Sequence, residues 1–173
     1  MRVLVLILLL LTACSAPATQ EVSMTLSLSS KAFAPGQSIP SKYSCVGRNL
    51  SPDLAWTGAP AATKSFALIV DDPDAPMGTW VHWVLFNIPA ATTGLPEDAS
   101  ASLPAGAVLG NNSSGNAKYM GPCPPSGTHR YFFKLYALDG TLTLSAGASK
   151  DQLLKAMDGH ILAQGELMGT FSK

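Results

Sequence analysis

Charge of either sign is scarce in this chain of 173 residues. Eleven Lys and Arg are matched by eleven Asp and Glu, and charged residues make up 13% of the whole. Without a basic excess there is no electrostatic footprint for nucleic acid and no polybasic face for an anionic membrane surface. Histidine and cysteine occur only three times each. No HxxxH-type spacing is present, and no serine or cysteine lies in the context of a nucleophile elbow, so the sequence advertises neither a metal-binding helix nor a ready nucleophile. It has no internal repeat. The longest uninterrupted apolar run, Val3 to Leu11, falls well short of the roughly 20 residues that cross a bilayer.

What that run does fit is the core of a secretory signal, with Arg2 as its positive flank. The segment ends Leu11-Thr12-Ala13-Cys14, small residues before a cysteine, which resembles the bacterial lipobox. The expectation is a signal peptide over residues 1–13 and a mature N-terminus acylated on Cys14. Residues 14–23 then form a small, polar tether, and one domain spans 24–173. Ser15 after the cysteine implies retention at the outer membrane, on its periplasmic face. Of the other cysteines, Cys45 and Cys123 would be either one disulfide, which an extracytoplasmic compartment allows, or two separate buried thiols.

The periodicities are mostly those of strands. Met24 to Ser29 alternates apolar and polar residues, Asp53 to Trp56 is short and extended, and Ser65 to Val70 is a buried strand. Trp80 to Pro89 has two largely apolar faces, one with His82, Val84, Phe86 and Ile88, the other with Val81, Trp83 and Leu85, and should lie inside a sheet covered on both sides. Residues 90–127 read as loops. His129 to Leu138 returns to strand, and Ile161 to Phe171 closes the chain as another. A single helix is predicted between them, opened by the capping box Ser149-Lys150-Asp151-Gln152 and ended near Gly159, with Leu153, Leu154 and Met157 as its apolar side. The fold class is therefore mostly β.

Candidate chemistry gathers where strands end. Asp71-Asp72-Pro73-Asp74-Ala75-Pro76 follows the buried strand, which places three carboxylates at the edge of the core; by itself the run is also ordinary turn chemistry. His129 and Tyr131 share a strand face. With Asp72 expected just past its strand and His82 near the start of the next, those two would face each other across a short loop, fixing the imidazole's tautomer and raising its pKa. Two histidines, a phenol and the Gly121-Pro122 loop with its backbone N–H groups would form a small polar pocket for an anion of phosphate size. His160, after the helix-ending glycine, reads as structural, and Arg130, opposite His129, as an ion-pair partner.

The blocks Asp72-Pro73-Asp74-Ala75-Pro76, Trp80-Val81-His82-Trp83 and Gly121-Pro122-Cys123-Pro124-Pro125-Ser126-Gly127-Thr128-His129-Arg130-Tyr131 resemble the two signature blocks of the phosphatidylethanolamine-binding protein family. They are most similar to its bacterial branch of Raf-kinase-inhibitor-like proteins. The resemblance runs over about residues 24–173. It implies a central antiparallel sheet with a smaller second sheet and a few flanking helices. It also implies a pocket for phosphate, acetate or phosphorylethanolamine-like groups, formed by Asp72, Asp74, Pro76, Trp80, His82, His129 and Tyr131 beside the Gly121-Pro122 backbone. Cys45 and Cys123 fall in blocks typical of the bacterial branch, which favours their proximity. Eukaryotic members add a C-terminal helix over the pocket; since Lys173 follows the last strand directly, that lid is expected to be absent.

The function expected is a lipid-anchored binding module for a small anion or phosphoryl head group, acting also through a protein partner such as a protease. No cofactor, metal or nucleic acid is expected. The alternative is a hydrolase using His82 as a base oriented by Asp72, with or without a metal; Cys123 is its only candidate nucleophile.

Overall fold

The computed structural model describes residues 24–173. The signal segment 1–13, the tether 14–23 and the acylation candidate Cys14 lie outside the described residues. Along the chain run β1 (Met24–Thr25), β2 (Ser27–Ser29), β3 (Leu54–Thr57), β4 (Ser65–Asp72), β5 (Trp80–Pro89), β6 (Gly94–Leu95), β7 (Val108–Gly110), β8 (Thr128–Leu138), α1 (Lys150–Met157) and β9 (Ile161–Ser172). Six strands make the central sheet in the order β1-β9-β8-β4-β5-β7, and β2-β3-β6 make a smaller one. All pairings are antiparallel except that of β1 with β9. The mostly β class and the two-sheet architecture hold; in place of a few helices, the described residues have one α-helix and two 3-10 turns.

Every residue of β4 is buried, because the strand is covered on both sides. On one side Phe66, Leu68 and Val70 pack with Phe133, Leu135, Trp83 and Leu85 against Leu28, Leu54, Trp56 and Leu95 of the small sheet. On the other, Ala67 and Ile69 pack with Val84 and Phe86 against Leu153 and Met157 of α1. The capping box forms: the Gln152 amide donates to Ser149 Oγ at 3.2 Å, and the Ser149 amide to Gln152 Oε1 at 2.8 Å. Leu154 departs from the sequence reading and faces outward, 38% exposed, because a one-sided helix of this length buries only Leu153 and Met157 at their spacing of four.

Two further departures have local causes. Met24 to Ser29 divides at Leu26, β1 joining the large sheet and β2 the small one. The two-faced pattern of β5 is broken by two bulges. Val70 pairs with Trp83 and Asp71 with Val81, so His82 is an extra residue in the ladder; Phe66 pairs with Ile88 and Leu68 with Leu85, so a second extra residue falls near Asn87. Asn87 has φ +55° and exchanges two hydrogen bonds with the Leu142 backbone. Beyond it, Ile88 joins the core under the small sheet, the face of Trp83 and Leu85 rather than that of Val84 and Phe86. The stretch 90–127 also holds β6 and β7, too short to show a period.

Candidate functional site

The same bulge decides where His82 goes. An unbroken strand would have placed it with Val84 and Phe86, towards α1. As the extra residue it turns instead to the side of Tyr131, the two rings meeting edge to face with centroids 5.2 Å apart; bulges re-aim side chains in this way. Its backbone is satisfied by the covering loop, the Met120 amide donating to the His82 carbonyl at 3.0 Å. The imidazole reciprocates, with Nδ1 2.7 Å from the Met120 carbonyl oxygen. A carbonyl only accepts, so Nδ1 carries the proton and Nε2 is left over. Burial, above all, pulls the His82 pKa below the usual imidazole value, with the Met120 carbonyl and the Asp72 charge pulling the other way.

Asp72 is the last residue of β4 rather than a residue beyond it, and its partner is His129, not His82. The expected Asp72–His82 pairing is thus corrected: β4 is flanked by β8 as well as β5, and the carboxylate turns towards β8. Asp72 Oδ2 accepts from His129 Nδ1 at 2.7 Å, and Oδ1 accepts from the Asp74 amide at 2.8 Å. Asp72 and His129 are both buried. Both histidines therefore spend Nδ1 on a fixed acceptor, and neither Nε2 has a hydrogen-bond partner among the described residues.

These groups line a cavity of about 300 Å³ bounded by Asp72, Ala75, Pro76, Trp80, His82, Met120, Cys123, Pro124, Pro125 and His129. Of the residues singled out from the sequence, Asp72, Pro76, Trp80, His82 and His129 reach it. Four do not line it. Asp74 is occupied by Arg130, which donates to Oδ2 from its amide and Nε (each 2.9 Å) and to Oδ1 from Nη2 (2.6 Å). Those bonds hold its carboxyl down at about 2, and the fork ties the loop carrying Ala75 and Pro76 to the start of β8. Gly121 donates its N–H to Asn49 Oδ1 at 2.7 Å, and Pro122 has no N–H, so the expected free backbone donors are absent from this pair. Tyr131 lies fully buried behind the histidines, its hydroxyl without a hydrogen-bond partner among the described residues. Burial and the nearby Asp72 charge push that phenol well above its ordinary pKa.

Asp71 leaves the site altogether. Neighbours on a strand face opposite ways, so it turns towards α1, where Lys134 Nζ donates to it at 3.0 and 3.2 Å and Lys150 Nζ completes the cluster. The lining residues that the sequence reading did not single out are Ala75, Met120, Pro124 and Pro125; Cys123, singled out there for a disulfide or as a nucleophile, lines the cavity too. All but Met120 fall inside the blocks quoted above, so position alone could have nominated them. The role of Met120 lies in its carbonyl and leaves no trace in side-chain chemistry.

Cys45 and Cys123 form a disulfide, with Cα atoms 5.4 Å apart and a sequence separation of 78. Closing a loop of that length removes roughly 4.5 kcal/mol of chain entropy from the unfolded state.

Comparison with known proteins agrees with this architecture. The family model described as phosphatidylethanolamine-binding protein matches residues 29–172. A UPF0098 protein of Methanothermobacter thermautotrophicus is 53% identical over 150 residues, covering 86% of this chain and 99% of the relative. The crystal structure of a phosphatidylethanolamine-binding protein homologue from Chlamydia trachomatis superposes with a TM-score of 0.81 at 46% identity, covering 87% of this chain and 99% of the other. That of E. coli YbcL, described as a member of the mammalian family, also scores 0.81, at 35% identity, over 86% and 98% of the two chains. The relatives include archaeal as well as bacterial proteins.

Proposed function

Because the chain belongs to the phosphatidylethanolamine-binding protein family, we propose that it is a binding module whose cavity takes a small anion, phosphate or a phosphoryl head group. The observation that carries this reading is the pairing of each histidine's Nδ1 with a fixed acceptor, Asp72 for His129 and the Met120 carbonyl for His82. The two histidine Nε2 atoms, without a hydrogen-bond partner among the described residues, are then left for a ligand. Among the described residues no Lys or Arg lines the cavity, so on this reading an anion's charge is met by protonating Nε2. Asp72 and Tyr131 set the histidines, and Trp80, Pro76, Pro124 and Pro125 supply an apolar surround for whatever carries the phosphoryl group.

Binding should then strengthen as pH falls. Protonated Nε2 donates to the anion; neutral Nε2 is an acceptor and opposes it. An unperturbed imidazole titrates at about 6.5, and the depressed pKa of His82 moves its share lower still. Calorimetric titration with O-phosphorylethanolamine is expected to give saturable one-site heat at pH 5.5, much weaker heat at pH 8, and none in His129→Ala. Phosphomonoesters themselves change charge near pH 6, so sulfate, whose charge is constant over this range, is the control and should follow the same trend. Affinity that is flat with pH would mean the histidines stay neutral. No heat above dilution would sink the phosphoryl reading and leave action through a protein partner, as an inhibitor or modulator of a protease for example.

Catalysis has less support. Cys123, the candidate nucleophile, is bound to Cys45. Among the described residues His82 has no carboxylate partner to orient it as a base, Asp72 serving His129 instead, and no three His, Cys, Asp or Glu side chains group as a metal site.

Attachment to the outer membrane through acylated Cys14 belongs to the same proposal and rests on the lipobox sequence alone. Metabolic labelling with a fatty acid should mark the protein, and Cys14→Ser should abolish the label; a labelled Cys14→Ser protein would end that part of the reading.

A further inference from the structure

The cavity wall over residues 120–125 is fastened mainly from one side, by the segment 43–49. Tyr119 Oη donates to the Tyr43 carbonyl at 3.0 Å, the Gly121 amide donates to Asn49 Oδ1 at 2.7 Å, and the Cys45 amide donates to the Pro122 carbonyl at 3.0 Å. The supporting segment is itself tightly constrained. Asn49 sits at φ +58°, in the left-handed region that non-glycine residues seldom occupy, and Gly47 packs so closely that a Cβ there would lie 2.0 Å from the Ser41 carbonyl oxygen.

Past Pro122 the fastening becomes covalent. Cys123, Pro124 and Pro125 all line the cavity, and neither proline has an N–H with which to hold its place. The disulfide to Cys45 is the anchor at this point. Both cysteines are exposed, so a reductant in solution can reach the bond. Three residues before it, Met120 presents the carbonyl that fixes the His82 tautomer.

We propose that the Cys45–Cys123 bridge is a redox latch on the cavity: closed, it holds the wall and the His82 acceptor in place; opened by a dithiol reductant, it releases the ligand. The inference rests on the anion-binding reading above. A thiolate of the reductant attacks one cysteine sulfur, the disulfide breaks and the other cysteine leaves as a thiolate. The second thiol of the reductant then displaces the first cysteine. The reductant becomes a cyclic disulfide, and its two electrons and two protons end on Cys45 and Cys123.

The test uses the full chain, reduced with dithiothreitol at pH 8 and exchanged to pH 5.5, where thiols stay protonated and exchange stops. O-Phosphorylethanolamine is titrated into oxidised, reduced and re-oxidised protein, with thiols counted in each. The dissociation constant is expected to rise at least tenfold on reduction and to return on re-oxidation. In the first minute of hydrogen exchange, amides of 120–127 should exchange faster in the reduced protein while those of 129–138 stay protected. Unchanged affinity in fully reduced protein overturns the latch. So does loss of protection across 129–138 in that minute, which would make the bridge a staple of the whole domain. If the oxidised protein gives no heat, the anion reading fails by itself, and unchanged exchange over 120–127 then overturns the latch independently.

Discussion

Asp72→Ala is expected to weaken phosphoryl binding by more than tenfold and to destabilise the fold by about 2–3 kcal/mol. One buried carboxylate does two jobs: it receives His129 Nδ1 and it receives the Asp74 amide that opens the following loop. Truncation leaves one buried and one partly buried donor without an acceptor, and an unpaired buried donor costs on the order of 1–3 kcal/mol. It also frees the His129 ring to flip or to change tautomer, so Nε2 is no longer held for the ligand. Asp72→Asn is the informative comparison. Its amide oxygen can still accept one of the two hydrogen bonds and its volume is the same, so most of the stability should return. Urea midpoints and titration of the two variants separate these effects. Equal loss of binding with no loss of stability in Asp72→Ala would show that the carboxylate does not support the histidine as described.

Gly121→Ala should be among the most damaging single-methyl additions in the chain, costing about 3 kcal/mol at the upper end of ordinary overpacking. A Cβ at this position would lie 2.2 Å from the Tyr43 carbonyl oxygen, 2.7 Å from Asn49 Oδ1 and 2.9 Å from the Ser44 Cα. Two of those three atoms are backbone in the constrained 43–49 segment, so the strain has little room to relax. The matching control is Gly140→Ala, where nothing lies within 4 Å of the added carbon and φ is not positive; its urea midpoint should be nearly that of the parent. A Gly121→Ala protein as stable as the Gly140→Ala protein would mean that segment 43–49 moves freely, and with it the account of the cavity wall.

How much of this could be read from the chain depends on which contacts set each feature. The alternation transfers directly from Ala163 to Phe171, with Ala163, Gly165, Leu167, Gly169 and Phe171 buried in turn, because β9 runs against β8 without a register shift there; the shift comes beyond Ala163, and Ile161 past it is exposed instead of buried with that face. β5 carries an equally clear alternation and misleads at both ends. Its bulges at His82 and near Asn87 arise from pairing with β4, and nothing local to β5 announces them. That Asp72, Pro76, Trp80, His82 and His129 line one cavity accords with the blocks that carry them, but which of them pair is not legible there. Whether Asp72 meets His82 or His129 is a question of which flanking strand its side chain leans towards, and both flank β4. Hydrogen bonds from backbone atoms, such as those of Met120 and Gly121, were invisible for a simpler reason: every residue has them.

Pairing of β1 with β9 has a consequence for how the domain is presented. Met24 sits beside Ala163, which in turn sits beside Ala137 of β8. The cavity is at the opposite end of β8, at His129, eight residues away, or about 26 Å along an extended strand. The chain thus enters the domain at one pole and the cavity lies at the other. Under the proposed anchoring through Cys14, the point of attachment and the cavity are at opposite poles, so a head group of the anchoring leaflet would reach the cavity only when the domain turns over on its tether, whereas a phosphoryl compound in solution would meet it directly.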